Sequence, residues 1–388
     1  MLLMSDLGIL ADDLTGACDA AASFALRVGP VRVFLDPRRG RAPRETVLAV
    51  LNTQSRLLSP RRSRLRVRRV ARSLRGRPVI YKKTDSVLRG PAGAELQALA
   101  GLFAGYSVFV IPAIPEMGKT TRDGLLFEHG IPAHQTEYRK DPLSPLLTND
   151  IRRIIGATGQ VDFETADAET MEDIARAVDQ ALARRGVILA GSLGLADELA
   201  CRLQPADGPA GHPPPAAREG SAASAPGRTL ILSGSSYPVA HAQLGFAAAA
   251  FGEEVLRVST DRDVSEVLPR CQGKQFVFLQ IDTGEMHKRG ETRWRLSALF
   301  RQVGRIIHSY GPDAVGVVGG ETAYRILRLL RTTRLEVEGR GQPGLPYGVI
   351  EDGELQGCAF STKGGSVGTP DACVRMVTCM THRGKDAS

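Results

Sequence analysis

LGILADDLTGACDAAASFAL, residues 7–26, is the stretch on which the fold class turns. Five apolar residues run into a pair of aspartates, Asp12 and Asp13, and then into a small-residue helical pattern. A short continuous apolar run ended by a turn signal reads as a buried strand, and the change of period after the turn reads as a helix. The same grammar returns in GVILAGSLGLADELACRL (186–203), TLILSGSSYPVAHAQLGFAAAA (229–250) and AVGVVGGETAYRILRLL (314–330). Repeated strand–turn–helix units predict α/β domains with largely parallel sheets. In open sheets of this kind ligands bind beyond the carboxyl ends of the strands, so the turns are where chemistry is to be sought.

Between these units lies QPADGPAGHPPPAAREGSAASAPGR, residues 204–228, which has no periodicity and little to bury. It reads as a linker. The chain of 388 residues therefore divides into an N-terminal domain, 1–203, and a C-terminal domain, 229–388. Hydrophobic residues make up 43%, enough for ordinary cores. No apolar run reaches the length of a membrane span, and the N-terminus reads as a first strand rather than a signal peptide. The six cysteines form no CxxC pair and no Cys/His cluster with zinc spacing, so no metal site is predicted. Scattered thiols fit a cytoplasmic protein.

The formal charge is +8, with arginines densest in SPRRSRLRVRRVARSLRG, residues 59–76. Neither interleaved aromatics nor a nucleic-acid motif accompanies them. The segment is expected to be a solvated amphipathic helix with Leu65, Val70 and Leu74 turned inward, with no nucleic-acid or membrane partner.

Each turn offers chemistry beside a plainer reading. Asp12 and Asp13 can accept hydrogen bonds from substrate hydroxyls or take a proton, and Asp is also a favoured helix cap. Lys83, Thr84, Asp85, Ser86 and Arg89 follow the credible strand PVIY; cations beside Asp and Ser suit a polyhydroxy carboxylate, or a solvated loop. Gly118-Lys119-Thr120 imitates the end of a P-loop, but Ala113 stands where its first glycine belongs, and Pro112 and Pro115 remove amides a phosphate would need. In the C-terminal half Ser233 to Ser236, Gly319 to Thr322 and Lys363 to Gly368 each sit where small residues let backbone N–H groups approach an anion.

ADDLTGACDAA, KKTDSVLRG, PAIPEMGKTTRDGLLFEHGIPAHQTEY, AGSLGLADEL, LSGSS, GGETA, GLPYG and KGGSVG follow one another in this chain. In that order they resemble the four-carbon acid sugar kinase family, from near the first strand to about Asp371. The resemblance implies a sugar-acid-binding N-terminal domain, an ATP-binding C-terminal domain and an active site in the cleft between them. It implies ATP and Mg²⁺ as cofactors, and phosphorylation of the terminal C4 hydroxyl of acids such as threonate, erythronate or 3-oxo-tetronate. Carried over by motif, the acid side is Asp12, Asp13, Arg56, Lys83, Thr84, Asp85, Ser86 and Arg89, with Arg56, Lys83 and Arg89 at its carboxylate end. Asp13 or Asp85 takes the hydroxyl proton. The nucleotide side is Ser233, Ser235, Gly319, Gly320, Glu321, Thr322, Lys363, Gly364 and Gly365. Val87, Pro91 and Val367 depart from the pattern, the first two beside the acid cluster.

Two other classes compete. A dinucleotide-dependent oxidoreductase needs GxGxxG after a strand, which these units lack. A non-catalytic sugar-acid sensor is the second alternative, and absence of turnover would identify it.

Overall fold

The structure is a computed structural model. It describes residues 2–37, 48–141, 143–204, 227–259, 264–282 and 292–381, so nearly all of the expected linker lies outside the described residues. Two compact units emerge, Met1–Gly211 and His212–Ser388.

The N-terminal unit begins with β1 (Leu7–Ala11), buried along its whole length, and α1 (Leu14–Val28). Asp13 ends the strand and caps the helix, accepting from Gly16 N at 2.8 Å. Then follow β2 (Val31–Phe34), β3 (Ala49–Asn52), α2 (Pro60–Ala71), β4 (Val79–Lys83), α3 (Ala92–Ala100) and β5 (Ser107–Ile111). A three-stranded antiparallel meander comes next: β6 (Lys119–Arg122), β7 (Leu125–Glu128) and β8 (Ile131–Pro132). After it come α4 (Ile151–Gly156), β9 (Glu164–Thr165), α5 (Met171–Leu182), β10 (Val187–Gly191) and α6 (Leu193–Cys201). The main sheet runs β2-β3-β1-β4-β10-β5-β9, every pair parallel.

The arginine-rich segment is the helix α2, as expected, but its inward face differs. Ser63, Val67, Val70 and Ala71 are buried, whereas Leu65 is 58% exposed. Positions 63, 67, 70 and 71 share one helical stripe, and Leu65, two residues from Ser63, falls about 200° round the helix from it. Leu74 is buried in the short turn that follows.

The C-terminal unit repeats the plan. Its elements are β11 (Thr229–Ser233), α7 (Pro238–Ala250), β12 (Val255–Val258), α8 (Val264–Cys271), β13 (Phe276–Ile281), α9 (Thr292–Tyr310), β14 (Ala314–Val318) and α10 (Gly320–Leu329). β15 (Arg334–Arg340), β16 (Pro346–Ile350), β17 (Ala359–Lys363) and α11 (Ala372–Thr381) complete it. Strands β12-β13-β11-β14-β17 are parallel, and β16 and β15 continue antiparallel. Pro238 opens α7 at its first turn, where a missing N–H costs nothing. Both units are thus α/β with mostly parallel sheets. Among the described residues no helix is long and apolar enough to cross a membrane.

Candidate active site

In the N-terminal unit the chain leaves β1 for β2 and β3 on one side, then crosses to β4 on the other. The loops that diverge at such a switch point leave a crevice beyond the strand ends. Here the loops after β1, β3 and β4 meet. Thr53 donates to Ala11 O through both N (2.8 Å) and Oγ1 (2.7 Å), and Ser55 N donates to Asp12 O at 2.8 Å, fastening the β3 loop against β1. Gln54 and Leu88 both take left-handed φ values, 45° and 59°. Such conformations cost on the order of 1–3 kcal/mol each, and they concentrate where a chain must aim a side chain.

What they aim is an interlocked set of charges. Arg56 donates to Asp12 through Nε (Oδ2, 3.0 Å) and Nη2 (Oδ1, 2.9 Å), and to Asp13 through Nη1 (Oδ2, 2.7 Å) and Nη2 (Oδ1, 3.0 Å). Asp85 Oδ1 stands 3.8 Å from the same guanidinium. Arg89 forks onto Asp85 at 3.0 and 2.7 Å and reaches Asp141 Oδ2 at 2.7 Å. Asp85 Oδ2 also accepts from Val87 N and Arg89 N, each at 3.2 Å. Burial alone would raise the Asp85 carboxyl, but Arg89 and Arg56 hold it far below the usual carboxylate range. Asp12 shows the same balance: burial raises it, and Arg56, Lys82 and Lys83 bring it below its ordinary value.

Strand alternation separates the two lysines of β4. Lys82 pairs with Glu95 on α3 at 2.7 Å, both fully buried, and Ser63 Oγ donates to the same carboxylate at 2.7 Å. Lys83 points to the other face, toward the first turn of α1: a Cβ built on Gly16 would lie 2.7 Å from Asp13 Oδ1 and 3.2 Å from Lys83 Nζ. Lys83 Nζ bonds only to Thr84 O, at 3.0 Å, and forms no ion pair among the described residues. Thr84 Oγ1 is buried without a hydrogen-bond partner among the described residues.

The structure brings Asp12, Asp13, Arg56, Lys83, Thr84, Asp85, Ser86 and Arg89 to one end of one sheet. It adds residues the sequence reading missed. Lys119 on β6 donates to Ser86 Oγ at 3.0 Å and to Tyr138 OH at 2.8 Å, Tyr138 OH donates to Glu128 Oε1 at 3.0 Å, and Arg89 lies over the Tyr138 ring. All of these, with Asp141, come from residues 119–141. The ionisable residues crowded into GKTTRDGLLFEHGIPAHQTEYRKD were the available signal.

The C-terminal unit has its own switch point, since the chain leaves β11 toward β12 and β13 and then crosses to β14. The turns after β11, β14 and β17 converge there. Gly319 N donates to Lys363 O at 2.9 Å, and Gly234 N to Val318 O at 3.2 Å. A side chain at Gly234 would begin 2.2 Å from Thr322 Oγ1, and one at Gly365 would begin 2.2 Å from Ser235 Oγ. Only glycine fits either place, and the result is a backbone-lined cradle of the kind phosphates occupy. Gly320 opens α10, so the helix N-terminus faces the same turns. Ser233 Oγ is buried without a hydrogen-bond partner among the described residues. Ser235 Oγ accepts from Tyr237 N at 3.2 Å, and Glu321 takes Arg325 Nε at 2.8 Å. Lys363 is buried at the end of β17, its Nζ donating to Gly364 O at 2.8 Å, and burial lowers it to about 8.

Residues 7–199 match the family described as Sugar-binding N-terminal domain, and residues 230–373 match Nucleotide-binding C-terminal domain. A D-threonate kinase of Bordetella bronchiseptica is 26% identical, over 97% of this chain and 98% of its own length. A 3-oxo-tetronate kinase of Brucella melitensis biotype 1 is 25% identical over 88% of each chain. A solved structure from Salmonella typhimurium LT2 shares the fold with a TM-score of 0.74 at 19% identity, covering 97% of this chain and 98% of that one. Motifs, paired domains and full-length relatives agree, and the chain belongs to the four-carbon acid sugar kinase family.

Proposed function

We propose that this protein transfers the γ-phosphoryl group of ATP to the terminal C4 hydroxyl of a four-carbon sugar acid such as threonate, erythronate or 3-oxo-tetronate. In this reading residues 1–203 hold the acid, residues 229–388 hold ATP, residues 204–228 connect them, and the protein works in the cytoplasm. Its cysteines form no disulfide among the described residues, which supports that compartment.

The observation that carries the proposal is the state of Lys83. Arg56 and Arg89 are each held by two aspartates, which leaves neither guanidinium to neutralise an incoming carboxylate. Lys83 is a buried cation that forms no ion pair among the described residues, although Asp12 and Asp13 lie nearby. An unpaired buried charge is costly unless function supplies its counter-ion, and a sugar acid supplies one. The arginines then act as a frame that spaces the aspartates. Asp85, tied by four hydrogen bonds and strongly acidic, anchors that frame and is a poor proton acceptor. Asp13, at the strand end beside Lys83, takes the hydroxyl proton as transfer proceeds. Phosphoryl transfer asks little basicity of this residue; its demand is position.

The glycine cradle and Lys363 fit a triphosphate, with backbone amides for its oxygens and one buried cation for its charge. Glu321 is the one acidic side chain these three turns contribute, and it would serve Mg²⁺, which takes most of its oxygens from phosphate and water in such sites. The bound ion would neutralise charge developing on the transferred group.

The test is an ATP-consumption screen against threonate, erythronate and their 3-oxo forms, both enantiomers, with and without Mg²⁺. Mg²⁺-dependent turnover of one acid is the expected result. If no acid is turned over, the proposal fails.

A further inference from the structure

The P-loop imitation, Gly118-Lys119-Thr120, has a conformation of its own. Gly118 has φ 68°, and a side chain there would begin 2.2 Å from His129 Nδ1. His129 N donates to Gly118 O at 2.7 Å, so the turn closes against the meander and β6 starts at Lys119, opposite Glu128. A strand, not a helix, follows the motif. The lysine is carried to the mouth of the acid cluster instead of to a phosphate.

Its contacts there fix hydrogen-bond direction. An ammonium only donates, so Ser86 Oγ and Tyr138 O both accept from Lys119. The Tyr138 proton goes to Glu128. The Ser86 proton has no acceptor among the described residues, and Ser86 is only partly buried. Ser86 is therefore set as a donor facing the crevice. The ammonium behind it is buried, with its nearest carboxylate, Glu128, at 4.0 Å and its close partners neutral hydroxyls. A polarised hydroxyl backed by a weakly countered cation recognises a negatively charged oxygen.

The geometry points to Lys119 as a specificity-determining positioning residue, which sets Ser86 as a donor to the substrate carboxylate and so selects the acid over the corresponding neutral tetritol. This rests on the proposed sugar-acid kinase activity and assigns the work of one part of that site. Lys119 touches no reacting atom; it acts through Ser86.

Steady-state kinetics on the full chain test it, with the best acid from the screen, the matching tetritol, and the variants Lys119→Met, Ser86→Ala and their combination. Lys119→Met is expected to raise KM for the acid roughly 10–100-fold, the range of a hydrogen bond to a charged group. KM for ATP and the turnover number stay within about threefold by the same scale. The preference for acid over tetritol falls by the same factor as acid affinity. Because the lysine acts through the serine, the double variant loses no more than the worse single one. Should Lys119→Met fail to fold, Tyr138→Phe keeps the lysine and the ring and is expected to lose acid affinity about three- to tenfold. A folded Lys119→Met with wild-type KM for the acid, or losses that multiply in the double variant, overturns the assignment while leaving the kinase reading intact. A wild-type protein that turns over no sugar acid takes both down.

Discussion

The two candidate sites occupy equivalent places in their sheets and are built from opposite materials. Beyond β1, β3 and β4 the N-terminal unit gathers aspartates, arginines and lysines, and most of their charge is spent on one another. Beyond β11, β14 and β17 the C-terminal unit gathers glycines and hydroxyls with one buried lysine. The contrast follows from what each is proposed to hold. A small polyhydroxy acid is told from its relatives by hydrogen bonds at fixed points, which only side chains can place. A triphosphate is held through oxygens that any well-aimed amide can meet. It also separates stability from function: the first set of charges is mutually stabilising, whereas Lys363 is a charge the fold carries at a loss.

The largest expected effect sets these two against each other. Arg56→Met leaves Asp12, Asp13 and Asp85 crowded without their shared cation. Removing one member of a buried ionic set costs about 3–5 kcal/mol, and the partial exposure of Arg56 places it near the lower end. At roughly 2–4 °C per kcal/mol for a domain of this size, the melting temperature falls by about 6–12 °C, with acid binding lost. Lys363→Met goes the other way. It replaces a buried ammonium, which has no ion pair among the described residues, by a side chain of similar shape, so the protein melts higher while ATP binding is lost and acid binding survives. Thermal unfolding with calorimetry of both ligands reads the pair, and a fall in melting temperature for both variants would erase the distinction.

Next in size is Gly365→Ala. Its new methyl would start 2.2 Å from Ser235 Oγ, so the turn must shift, and ATP affinity is expected to fall roughly 10–100-fold, the range for overpacking a tight site. Acid affinity stays put. A variant with normal ATP affinity would mean the cradle is not where phosphates bind.

The pH dependence is smaller and carries two signs. The folded-state value of Lys363 is lowered from 10.5 to about 8. Below that value the lysine is charged and aids a triphosphate; above it the charge goes, so ATP affinity falls between pH 7 and 9. Stability without ligand moves oppositely. Between about 8 and 10.5 the unfolded chain binds the proton that the folded chain has lost, so this residue's contribution to stability rises with pH. Lys363→Met should flatten the stability trend, and an unchanged trend in that variant would assign it to another group.

The same contrast governs what could be read in advance. Strand–turn–helix grammar is local, so the parallel sheets, the Pro238 helix start and the glycine turns at β11, β14 and β17 were legible from residues side by side. The N-terminal cluster was legible only in part. Asp12, Asp13 and the segment from Lys83 to Arg89 stand at strand ends, but the pairing of Arg56 with Asp12 and Asp13, and of Arg89 with Asp141, joins loops far apart in sequence. Lys119 was read for what it is not. The motif test concerned phosphate geometry, and nothing nearby in sequence says that a meander returns the lysine to Ser86. Leu65 failed for a simpler reason: in a helix with few apolar residues, Ser63 takes a place on the buried stripe that an apolar count gives to leucine.

The smallest effect on activity is expected where the sequence resembles the site most closely. Lys82 stands beside Lys83, is equally cationic and is more deeply buried, yet alternation sends it to the opposite face, where it pairs with Glu95, which in turn accepts from Ser63. Replacing the whole group at once, with Lys82→Met, Glu95→Leu and Ser63→Ala, leaves no orphaned partner, and exchanging a buried ion pair for apolar packing is often neutral or stabilising. Lys82 still contributes to the field that keeps Asp12 ionised, but Arg56 dominates that field at 2.9 Å, so Asp12 remains charged. The kcat/KM for the acid should therefore stay within about threefold of wild type, a change below 1 kcal/mol. A loss of tenfold or more would show that charge on the far face of β4 reaches the substrate, and that the site is not confined to the side chains that face the crevice.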